Sequence, residues 1–148
     1  MIVNLIVGDW SNDGHSKTKT ITIESNLSPT EIEQAYQKAI TILGFDFCEE
    51  VCHSYEDHNI SKSHLDILIK NGLQLKLEPK SQSIFDPKIL YLDSYSIKEF
   101  QKTGSMDLNA NYFATIYLFI ITLGNSKFWY EPTDSSNSIN IGGYGLFY

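Results

Sequence analysis

The chain has 148 residues, 42% of them hydrophobic and 13% aromatic, and 18 acids against 11 lysines and no arginine leave a formal net charge of -7. A chain of this length buries enough surface for one globular domain to be stable without disulfides or a structural metal. Clustered cationic side chains neutralise phosphates and read guanine, so a net-negative chain without arginine is not expected to bind nucleic acid.

Ile2–Val7 is apolar and predicts a strand. Lys19–Ser25 alternates Ile21 and Ile23 with Thr20, Thr22 and Glu24, the period of two of a half-buried strand. Turn formers at residues 9–15 make the pair an N-terminal β-hairpin with a long loop. Ser28, Pro29 and Glu31 then supply an N-cap, a proline at the first helical position and the acid of a capping box. Ile32, Ala35, Tyr36, Ala39, Ile40 and Leu43 follow at helical steps, and Gly44 marks the stop. A second box from Asp46 to Glu49 predicts a short helix, although Phe45, Phe47, Val51 and Tyr55 also fit a strand.

Ser61 or Ser63 caps a helix through Lys70 with Leu65, Leu68 and Ile69 inward and Gly72 at its end. Residues 73–77 and Ile89–Leu92 predict strands, and residues 97–102 a short helix before Gly104. Residues 109–123 are apolar nearly all round, which predicts a helix at the centre of the core. Residues 127–131 and 144–147 predict closing strands joined through a polar loop at 132–140. The expected architecture is a single α+β domain over residues 1–148, its mostly antiparallel sheet packed by about five helices. The strongly apolar run at 114–123 is shorter than the roughly 18 residues a membrane span needs, and no positive charge precedes the apolar residues 1–7. A cytoplasmic protein without membrane contact is expected.

The acidity is local. Residues 46–66 carry Asp46, Glu49, Glu50, Glu56, Asp57 and Asp66 against Lys62, which is five of the seven net negative charges. The same segment holds Cys48, Cys52, His53, His58 and His64, both cysteines and three of the four histidines. A concentrated negative patch steers a cationic partner and speeds its association. The function expected from this is a small acidic interaction protein that binds, and in binding neutralises, a basic protein. Asp46, Glu49, Glu50, Glu56, Asp57 and Trp10, an aromatic in a polar turn, are its candidate contacts. In size and acidity the chain resembles immunity proteins that neutralise toxins, by composition alone and without a shared motif.

The competing expectation is a metal-binding domain or metal-dependent hydrolase. Cys48, Cys52, His58 and His64 are zinc-type ligands, but their separations are not those of a zinc finger. Asp9, Ser11 and Asp13 before Gly14 resemble the opening of an EF-hand calcium loop, with His15 adjacent. Beyond Gly14 the resemblance ends, because Thr20 stands where the bidentate glutamate belongs. No cofactor is expected, and zinc or calcium are the metals such ligands would take. Gly-x-Ser-x-Gly is missing, and Gly142-Gly143-Tyr144-Gly145 lacks the lysine of a phosphate loop, so no catalytic residue is assigned and the balance leans away from an enzyme. His53 and His58, lying among carboxylates, are expected to hold their protons more tightly than an ordinary imidazole if exposed.

Overall fold

The structure, a computed structural model, describes residues 1–7, 19–51, 59–78, 88–108, 110–132 and 139–142. In chain order the first elements are β1 (Ile2–Val7), β2 (Lys19–Ser25), α1 (Pro29–Leu43), α2 (Phe47–Val51), β3 (Asn59–Ser61) and α3 (Lys62–Lys70). The chain continues through β4 (Gln74–Leu77), β5 (Ile89–Leu92), α4 (Ser94–Thr103), β6 (Ser105–Asp107), α5 (Ala110–Gly124), β7 (Tyr130–Pro132) and β8 (Ile139–Gly142). The architecture is α+β.

β1 and β2 form the N-terminal antiparallel hairpin, with Val3 opposite Ile23 and Asn4 opposite Thr22. The period of two acts as expected: Val3, Leu5 and Ile23 are fully buried on one face. On the other face Thr22 Oγ1 donates to Asn4 Oδ1 at 2.7 Å. α1 begins as its capping box requires, with Glu31 N–H donating to Ser28 Oγ and Ser28 N–H donating to Glu31 Oε1, both at 3.2 Å. It ends at Gly44, whose φ of 82° is left-handed backbone that glycine adopts without a Cβ penalty. Ser61 caps α3, and Asp93 caps α4, a helix that starts ahead of residue 97 because this aspartate takes the Ser96 N–H at 2.7 Å.

α5 packs against α1, β1, β2 and β5, and its Phe113, Ile116, Tyr117, Ile120 and Ile121 are almost wholly shielded from water. Each such apolar side chain contributes roughly 1.5–3 kcal/mol relative to exposure. Among the described residues no helix is long and apolar enough to cross a membrane.

Three expectations about the strands are corrected. In place of one mostly antiparallel sheet, the described strands form a four-stranded sheet in the order β7-β2-β1-β8 and two separate pairs, β3-β6 and β4-β5. β1-β8 and β4-β5 are parallel. A parallel pair needs a long crossover and is invisible to rules that read neighbouring strands as hairpins. The strand expected at residues 127–131 starts only at Tyr130, because Asn125 turns the chain: its carbonyl accepts from Phe128 N–H and its side chain from Lys127 N–H, both at 3.0 Å. The loop expected at 132–140 gives way at Ile139 to β8, which follows β1 in register with Leu5 opposite Ile141. The strand expected at 144–147 lies outside the described residues.

Candidate functional site

The described part of the acidic segment is built on the junction from α1 through α2 to α3. Gly44 breaks α1, and the Asp46 carbonyl accepts from Glu50 N–H at 2.9 Å, which makes Phe47–Val51 a helix in place of the strand alternative, whose Tyr55 lies outside the described residues. The side chain of Asp46 turns back onto α1, where Tyr36 Oη donates to Asp46 Oδ1 at 2.9 Å. The same phenolic oxygen accepts from Cys48 N–H at 3.0 Å. Tyr36 therefore satisfies two polar groups at the first turn of α2 and stacks on Tyr117 of α5 with ring centroids 5.0 Å apart. Burial, and secondarily the nearby Cys48 thiol, pushes the Tyr36 phenol far above its ordinary range, so it is a permanent donor to Asp46.

Glu50 is exposed on α2, and its Oε2 lies 2.8 Å from His64 Nε2 on α3. The His64 ring stacks on Phe45 with centroids 4.4 Å apart and planes 9° from parallel. Through this histidine the turn before α2 and the first turn of α3 are held together. On α3 itself, Lys62 Nζ at the first position reaches Asp66 Oδ2 at 2.7 Å, an exposed pair one helical turn apart. Pairs of this kind are worth about 0.2–1 kcal/mol, so they orient charge more than they stabilise the fold.

Each acid of the segment whose side chain is described thus has a partner within the chain: Asp46 with Tyr36, Glu50 with His64, Asp66 with Lys62. Glu49 lies on α2. Glu56 and Asp57 lie outside the described residues, as do Trp10, Asp9, Ser11, Asp13, His15, Cys52, His53 and His58. Of the metal candidates only Cys48 and His64 are described. Cys48 is buried, whereas His64 is half-buried against Phe45 and Glu50. Among the described residues no group of three His, Cys, Asp or Glu side chains is arranged to hold a metal ion.

Helical spacing assigns Tyr36 to the buried face of α1 but not to a role at the start of α2. The available signal was chemical: a tyrosine on the buried face of a helix needs a partner for its hydroxyl, and polar Asp46 follows just past the helix stop. Comparison with protein-family models, with curated proteins and with solved structures finds no match to this chain.

Proposed function

We propose that the chain is a small acidic interaction protein of the cytoplasm that binds a basic protein partner, and not nucleic acid, through residues 46–66. Glu49, Glu50, Glu56 and Asp57 are the charged contacts and Trp10 the aromatic one, while Asp46 anchors α2 through Tyr36. The observation that carries this reading is the surplus of five negative charges in one short segment of a chain that is otherwise close to neutral. Glu50 supports it, since it stands exposed on α2 with its carboxylate oriented by His64. Such a patch attracts cations over a Debye length, so encounter is fast and sensitive to salt.

The test is titration of the protein with a lysine-rich peptide at low and high ionic strength. Affinity is expected to fall steeply with salt. Glu50→Lys should weaken binding several-fold, while Glu78→Lys, at an exposed acid outside the segment, leaves it unchanged. Salt-independent binding, equal loss in both variants, or binding that requires added zinc or calcium would overturn the proposal.

A further inference from the structure

We draw no further inference here: the strongest candidate, the cluster of Phe45, Glu50 and His64 where the start of α2 meets α3, belongs to the site already described and has no second observation beside it that points to a ligand.

Discussion

Tyr36 Oη donates to Asp46 Oδ1 at 2.9 Å, and this bond ties the carboxylate that opens the acidic segment to a buried phenol on α1. Removing the hydroxyl in Tyr36→Phe takes a donor from Asp46 and an acceptor from the buried Cys48 N–H. A buried polar group left without its partner costs about 1–3 kcal/mol, and that is the expected loss. Asp46→Asn keeps an acceptor for the phenol and should cost less. Urea unfolding of the two variants checks the order; a Tyr36→Phe protein as stable as the parent would show that the bond contributes nothing.

Alkaline titration reads the same network from another side. Burial holds both Tyr36 and Tyr117 far above the ordinary phenol value of 10.0. A group whose folded pKa is raised stabilises the fold fully below its unfolded pKa, and the contribution declines as pH rises past that value. Stability should therefore fall above about pH 10, as the unfolded chain begins to release these two protons. Ultraviolet titration of the nine tyrosines should leave a fraction un-ionised until the chain unfolds. Complete, reversible ionisation of all nine with the far-ultraviolet circular dichroism intact would contradict this.

At the acid end the informative group is Asp93. The Ser96 backbone N–H, with Tyr112 Oη as a further donor, holds this carboxylate below its ordinary value of 3.8. A depressed folded pKa contributes stability that is present above the unfolded value and is lost as pH falls through the folded one. Asp93→Asn keeps a capping oxygen but removes the titrating charge, so its stability should depend less on pH below about 4 than that of the parent. Asp93→Ala loses the cap itself, about 1 kcal/mol near neutral pH. Denaturation midpoints measured across the acid limb separate the two effects.

Gly124 closes α5 directly against α1, where a Cβ would overlap the backbone carbonyl of Ala35. Alanine is the better helix former by up to about 1 kcal/mol at an unconstrained site, but here the backbone of α1 would have to move. Gly124→Ala is expected to destabilise by roughly 1–3 kcal/mol, the range for forcing extra volume into a packed core. The paired variant Gly124→Ala with Ala35→Gly would not relieve it, because the obstructing atoms are backbone. A thermal midpoint equal to or above the parent's would show that the helices separate without cost.

Local signals make a large part of this fold legible in the sequence. The cap at Ser28, Pro29, the apolar positions from Ile32 to Leu43 and Gly44 lie within one short stretch, and each acts through neighbours three or four residues away. The β1-β2 hairpin was legible for the same reason, since period two assigns Val3, Leu5 and Ile23 to one face. Short or distant pairings were not. Three-residue strands such as β3 and β6 show no period, and Ile60 and Met106, buried opposite each other, are more than forty residues apart in sequence. The parallel partnership of β1 with β8 joins opposite ends of the chain and depends on which apolar faces remain to be covered.

The same division runs through the candidate site. Composition alone located the negative charge in residues 46–66, because counting charges needs no geometry. Which acids face outward depends on partners on neighbouring helices: Tyr36 on α1 draws Asp46 inward, and His64 on α3 orients Glu50. Hydrogen bonds and ion pairs act over a few ångströms in space, whatever the separation in sequence, so only the packing of α1, α2 and α3 could assign them.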